Sequence, residues 1–197
     1  MSREMARITL LALLLLGAPS GASADEFDWE GFEAAFYAYL ADPSDGKAMA
    51  MEQLLPAAPA RPVYTDDKLP EWNRILGRLR GLEPLAARGD RHALRVAHAL
   101  FAISDGEFSE WLSEILASGL DADPRTYLQE LKRAGRRQFT PCQLAIWGPH
   151  GLENDEIGAL YRKRIASLEA IRVDGTEELR TCSITALRQL LERMAKE

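Results

Sequence analysis

The residues that could perform covalent chemistry lie in one stretch, RRQFTPCQLAIWGPHG, which runs from Arg136 to Gly151. Within it, Cys142 follows a threonine–proline pair, which is typical of the first turn of a helix. The dipole and the free N–H groups of a helix N-terminus lower the pKa of a thiol and so favour the reactive thiolate. His150, eight residues later, would be the general base. One hypothesis is therefore a thiol-dependent hydrolase that uses Cys142 and His150.

A second cysteine gives Cys142 a different role. Cys182 falls on the apolar stripe of the last predicted helix, and an exported chain with two cysteines normally oxidises them. The dipeptide Gly148-Pro149 separates Cys142 from His150, and none of the local signatures of known cysteine hydrolases is present. We therefore predict a disulfide between Cys142 and Cys182, and the sequence assigns no catalytic residue.

A second candidate site is a polar line along an otherwise apolar helix. The segment DRHALRVAHALFAIS is apolar around most of its circumference, which is typical of a helix surrounded by others. Its residues Arg91, Arg95 and His98 are spaced i, i+4 and i+7 and so share one face. They either form the floor of a groove that binds an anion or a carboxylate, or they are the solvent edge of a central helix, since charged lines on helices are usually solvated.

An aromatic residue completes the candidate binding set. Trp147 lies in the same glycine- and proline-containing loop as His150, and an exposed aromatic in an ordered loop is a plausible recognition anchor. Burial against the disulfide is the alternative. The candidate binding residues are Arg91, Arg95, His98, Trp147 and His150.

Two further patterns have structural explanations. The basic run KRAGRR, from Lys132 to Arg137, would suit a phosphate or an acidic partner, but cations at a helix C-terminus are also favoured by the helix dipole alone. The three histidines and two cysteines lack the spacings of metal ligands. The sequence therefore predicts no metal site and no cofactor.

The first 24 residues resemble a secretory signal peptide in their order of charges and apolar residues. The basic start MSREMAR precedes ITLLALLLLGA, a run of 11 residues that is too short to span a bilayer, and PSGASA ends in small residues. We expect cleavage after Ala24, which leaves residues 25–197 as a single domain in the bacterial periplasm or outside the cell. The excess of arginine, 19 against 5 lysines, is typical of a GC-rich bacterial genome.

The charge of the mature chain restricts its partners. Without residues 1–24 the chain has 22 basic and 29 acidic residues, a formal charge of −7. Such a surface repels nucleic acid and anionic lipid headgroups. A protein or a peptide is the partner that we expect.

Helical spacing of apolar residues extends over almost the whole mature chain, and no stretch alternates with a period of two. We predict an all-α fold of about eight helices packed as antiparallel hairpins, in an irregular bundle or a short superhelix. Asp123 is predicted to cap one helix, with Pro124 at its first position. The other predicted helices are Trp29 to Leu40, Asp45 to Leu55, Asp67 to Ala87, Arg91 to Ile103, Ser104 to Ser118, Glu153 to Ile171 and Thr176 to Ala195.

These observations favour a secreted, non-enzymatic domain that binds a protein or a peptide through a helical surface or groove. A narrower version is an inhibitor or immunity-type protein of an enzyme that acts in the cell envelope, because an acidic surface speeds association with a basic partner. The hydrolase hypothesis needs a free Cys142 thiol. A carrier with an apolar cavity between hairpins is also compatible with the sequence, because a fold does not determine a function.

Overall fold

The described part of the chain consists of helices joined by turns. The computed structural model describes residues 28–55, 73–75, 77–101, 104, 106–134, 141–148 and 151–196. In these residues there is no strand, which confirms the predicted all-α fold of about eight helices. The α-helices with defined bounds are α1 Trp29–Ala41, α2 Asp45–Gln53, α3 Glu83–Ala86, α4 Arg91–Phe101, α5 Gly106–Ala122, α6 Pro124–Ala134, α7 Asn154–Ala170 and α8 Glu177–Met194, and two 3-10 helices span Leu79–Leu82 and Pro141–Ile146.

The predicted signal peptide, residues 1–24, lies outside the described residues. Among the helices that are described, none combines the length and the apolar character needed to cross a membrane.

Helix α4 is the centre of the first part of the structure. It packs against α2, α3, α5 and α6. Seven of its 11 residues are buried, as the apolar circumference of this segment predicts. The fully buried side chains in this part of the structure include Phe32, Phe36, Met51, Leu79, Leu94, Leu116 and Tyr127.

Helices α7 and α8 form the second part. They are joined by residues 171–176 and pack against each other, and the 3-10 helix Pro141–Ile146 packs on both α8 and α5. Helix α5 therefore links the two parts, and it places the segment that contains Cys142 beside the last helix of the chain.

The predicted helix from Asp67 to Ala87 is wrong as a single element. Residues 73–75 are helical, residues 77–78 form a turn, and a 3-10 helix then leads into the short helix α3. Glycine weakens a helix, and Gly81 lies where a Cβ atom would come 2.9 Å from a methyl group of Leu40. The backbone of the 3-10 helix therefore approaches α1 closely at Gly81, four residues after the turn begins.

The predicted end of the fifth helix at Ser118 is also wrong. Helix α5 begins at Gly106, passes through Gly119 and ends at Ala122. A Cβ atom on Gly119 would lie 2.3 Å from a methyl group of Leu94, so the glycine allows α4 and α5 to pack closely. This glycine therefore serves packing rather than helix termination.

Trp111 lies at the edge of the core, although its helical spacing with Leu112, Ile115 and Leu116 would favour a position inside it. It is half-buried, whereas Leu112, Ile115 and Leu116 of the same helix are fully buried. The Arg80 guanidinium lies over the Trp111 ring, 5.0 Å from its centroid. The ring therefore borders the core and covers its edge with a cation–π contact.

Candidate functional site

The structure joins Cys142 and Cys182 in a disulfide whose Cα atoms are 5.3 Å apart. Cys142 lies in the 3-10 helix Pro141–Ile146 and is only 4% exposed, and Cys182 is half-buried on α8. Neither of the chain's two cysteines is a free thiol. A sulfur atom in a disulfide is not a thiolate, so Cys142 is not a nucleophile in this state. His150 lies outside the described residues.

A buried arginine holds the segment that follows Cys142, an arrangement we call the Arg164 clamp. Arg164 is 1% exposed and donates hydrogen bonds through Nε and Nη2 to both carboxylate oxygens of Asp121, at 2.8 and 2.7 Å. Its Nη1 atom donates to the carbonyl oxygens of Ala145, at 2.7 Å, and of Trp147. The Asp121 carboxylate neutralises the guanidinium charge, and the two carbonyl oxygens accept hydrogen bonds from Nη1. A buried guanidinium requires both kinds of partner.

A tyrosine adds a further attachment to the same segment. The Tyr161 hydroxyl donates to the carbonyl oxygen of Ile146 at 2.8 Å, and burial raises the pKa of this phenol. We call residues 141–148 the pinned loop, because a disulfide, an arginine and a tyrosine fix its backbone. Trp147, the candidate anchor, lies at the end of the pinned loop and is half-buried.

Arg164 is not among the residues predicted from the sequence, although the sequence contains a signal for it. In α7 the buried residues Tyr161, Ile165 and Leu168 follow helical spacing, and Arg164 falls within this stripe. A charged residue in an apolar stripe requires a partner. Asp121 is 43 residues away in the chain, so that partner becomes visible only in three dimensions.

The polar line on α4 is not a row of exposed donors. Arg91 is exposed and His98 is 5% exposed. Arg95 is half-buried and donates to both oxygens of Glu130, at 3.1 and 3.2 Å, and to Glu52. Burial lowers the pKa of Arg95, but the hydrogen bonds and charges of the two glutamates outweigh burial and raise it. The charge of Arg95 is thus already neutralised within the protein.

Arg95 and His98 nevertheless line one small pocket. Its volume is about 120 Å³, and Leu55, Glu130 and Arg133 complete most of its wall. Pockets for small-molecule ligands are roughly 300–1,000 Å³, so this one holds at most a few atoms of a ligand. The structure places two of the three residues of the polar line together in this pocket, while Arg91 does not line it.

Among the described residues, no group of three or more histidine, cysteine, aspartate or glutamate side chains is arranged to hold a metal ion. No protein-family model matches the chain, and neither a curated protein nor a solved structure is detectably similar to it.

Proposed function

We propose that this protein is an exported, non-enzymatic interaction domain that binds a protein or peptide partner through the surface around Trp147. The observation that carries this proposal is the pinned loop. Its backbone is fixed by the Cys142–Cys182 disulfide and by the hydrogen bonds that Arg164 and Tyr161 donate. A surface that is ordered before binding loses less conformational entropy when a partner arrives.

The chemistry of the loop supports binding rather than catalysis. Tryptophan is enriched among the residues that dominate interface energies, and Trp147 retains exposed surface. The sulfur atom on which a hydrolase would depend is held in the disulfide. The disulfide also supports export, because such bonds persist mainly in oxidising compartments.

The charge of the chain supports a basic partner. Its formal net charge is −6, and charge complementarity raises association rates with proteins of opposite sign. An inhibitor or immunity-type protein that covers a basic enzyme of the cell envelope is the narrower form of this proposal.

Photo-cross-linking tests the proposal. A benzophenone amino acid at Gln143, an exposed residue of the pinned loop, leaves Trp147 in place and should give a discrete adduct with one protein in envelope extract of the source cells. The same probe at Glu110, an exposed residue, should give none. Glu110 lies eleven residues before Asp121 in α5, roughly 16 Å along the helix from the Arg164 clamp. Excess native protein should reduce the yield of the adduct by competition, and an excess of the Trp147→Ala variant should not. Equal labelling from both probe positions would contradict the proposal.

A further inference from the structure

A cleft with three cationic side chains lies between α6 and the turn that joins α7 to α8. We call it the cationic cleft; its volume is about 320 Å³. Its main lining residues are Arg125, Gln129 and Lys132 of α6 and Arg172, Asp174 and Thr176 of the turn. The spacing of the α6 residues, i, i+4 and i+7, places all three on one face of that helix.

Neutral backbone groups hold each cation in place. Arg125 Nη1 donates to the carbonyl oxygen of Arg172 at 3.2 Å, and Lys132 Nζ donates to that of Asp174 at 3.1 Å. Arg172 Nη1 donates to the carbonyl oxygens of Glu169 and Ile171, both at 2.8 Å. An arginine has five N–H donors and a lysine has three, so each cation keeps donors for a ligand.

Gly175 makes this arrangement possible. Its φ angle of +70° lies in the left-handed region, which glycine adopts without strain. A Cβ atom at this position would lie 2.3 Å from Lys132 Nζ. The turn therefore closes tightly and leaves space for the lysine ammonium over it.

The three cations of the cleft form no ion pair with any carboxylate of the described residues. Within the described part of the chain, no carboxylate oxygen lies within 4.0 Å of a charged nitrogen of Arg125, Lys132 or Arg172. By contrast, Arg95 and Arg164 are both paired with carboxylates. Like charges gathered in one cleft repel one another, and a bound anion removes that repulsion.

We propose that the cationic cleft binds a phosphate group, either as the free ion or as a monoester. Three cations and the single carboxylate of Asp174 leave two positive charges, which match the charge of −1.5 to −2 that a phosphate monoester carries near neutral pH. The three outer oxygens of phosphate accept from donors in several directions, and guanidinium forks bind them in pairs. A carboxylate carries one charge and two oxygens and satisfies fewer of these donors.

Titration with inorganic phosphate, followed by amide NMR on the oxidised full chain, tests this site. The Gly175 and Thr176 amide signals should shift and saturate. Arg125→Gln and Arg172→Gln should each weaken binding about tenfold or more, because each removes charge-assisted hydrogen bonds. Asp174→Asn should strengthen binding severalfold, because it removes the carboxylate that faces the anion.

The matched control is Arg193→Gln, which removes the same charge from an exposed position in the last turn of α8. Position 193 is roughly 24 Å along the helix from Glu177, so the variant should leave phosphate affinity unchanged. Glycerol 3-phosphate should shift the same signals, and tighter binding of this ester would identify a phosphate carried on a larger molecule. Acetate bound as tightly as phosphate, equal weakening by Arg193→Gln, or no saturation by phosphate would each overturn the proposal. None of these outcomes bears on cross-linking from the pinned loop.

Discussion

In both the Arg164 clamp and the cationic cleft, arginine side chains donate hydrogen bonds to backbone carbonyl oxygens. The two regions differ in whether a carboxylate neutralises the arginine charge. Arg164 is 1% exposed, and Asp121 neutralises it with two hydrogen bonds. Arg125 and Arg172 are exposed, and the groups that hold them are neutral carbonyl oxygens. The charge of Arg164 is thus neutralised inside the protein, whereas Arg125 and Arg172 keep their charge and their free donors for a ligand.

This difference separates a structural use of arginine from a binding use. A buried guanidinium without a carboxylate would lose several kcal/mol of hydration energy, so the clamp requires Asp121. An exposed guanidinium keeps its hydration and gains little from an internal partner. Removing charge should therefore cost stability at the clamp and ligand affinity at the cleft.

The largest loss of stability should come from opening the disulfide beside the clamp. The two cysteines are 40 residues apart, and cross-linking a loop of this length stabilises a fold by about 4 kcal/mol on chain-entropy grounds. Cys142→Ser and Cys182→Ser should each lower the free energy of unfolding in urea by similar amounts, because either change opens the same loop.

The double variant Cys142→Ser/Cys182→Ser serves as the control. Its free energy of unfolding should lie within about 0.5 kcal/mol of that of either single variant, because the loop is already open after the first change. A large loss in Cys142→Ser alone would show that Cys142 contributes through another contact and would contradict the disulfide as the source of the effect.

The second loss should come from the clamp. Arg164→Ala should lower the free energy of unfolding by about 3 kcal/mol, near the lower end for a broken buried ion pair, because Asp121 remains partly hydrated. The Asp121 side chain is 24% exposed. The matched control is Arg162→Ala at an exposed position of the same helix, which should change stability by about 0.5 kcal/mol or less. If both variants lost the same free energy of unfolding in urea, the ion pair between Arg164 and Asp121 would not be the source of the stability.

Local features of the fold could be predicted from the sequence, and long-range ones could not. The cap at Asp123 and the proline at the start of α6 are local signals, and α6 begins there. The cysteine pairing followed from the expected compartment and an even cysteine count. The sequence predicts a helix end at Ser118, just before Gly119, because the contact of Gly119 with Leu94 of another helix is not visible in the sequence.

The candidate site was predictable to a smaller extent. Trp147 and the segment around Cys142 were recognised from the sequence, but the clamp that orders them joins residues 43 positions apart. Lys132 was recognised as part of a basic run, whereas its neighbours in the cleft come from a turn about forty residues later. Charge in a sequence does not show whether a cation will be neutralised, because that depends on which carboxylates the fold places beside it.

Asp123→Ala should lower the free energy of unfolding by about 1 kcal/mol, because it removes the N-cap of α6, the helix that carries Arg125 and Lys132. Asp123 Oδ1 accepts from the backbone N–H groups of Arg125 and Thr126, at 3.0 and 3.2 Å. In the amide titration, this variant should also weaken phosphate binding, because fraying of the first turn disorders Arg125. Unchanged stability would show that tertiary packing alone holds the start of α6.

The same cap predicts a pH dependence. Burial raises the pKa of Asp123, but hydrogen bonds from Thr126 and Arg125 outweigh burial, and the net pKa is below its ordinary value of 3.8. A lowered pKa in the folded state adds stability above the unfolded pKa, and that stability is lost as the pH falls through the folded pKa. Asp123→Asn keeps the cap but has no carboxyl group to titrate. The thermal midpoint of this variant should therefore fall less below about pH 4 than that of the unaltered protein. An identical acid profile for both proteins would contradict the assignment.

The smallest effect on stability is expected in the cationic cleft. Arg125→Gln and Lys132→Gln should each change the free energy of unfolding by about 0.5 kcal/mol or less, because both side chains are exposed and neither is paired with a described carboxylate. Slight stabilisation is the expected direction, since each change relieves repulsion among the cleft cations. Urea unfolding without phosphate, repeated at high salt, measures this, and salt should reduce any gain by screening that repulsion. A loss as large as that of Arg164→Ala would mean that these cations hold the turn to α6, and the contrast between the clamp and the cleft would then fail.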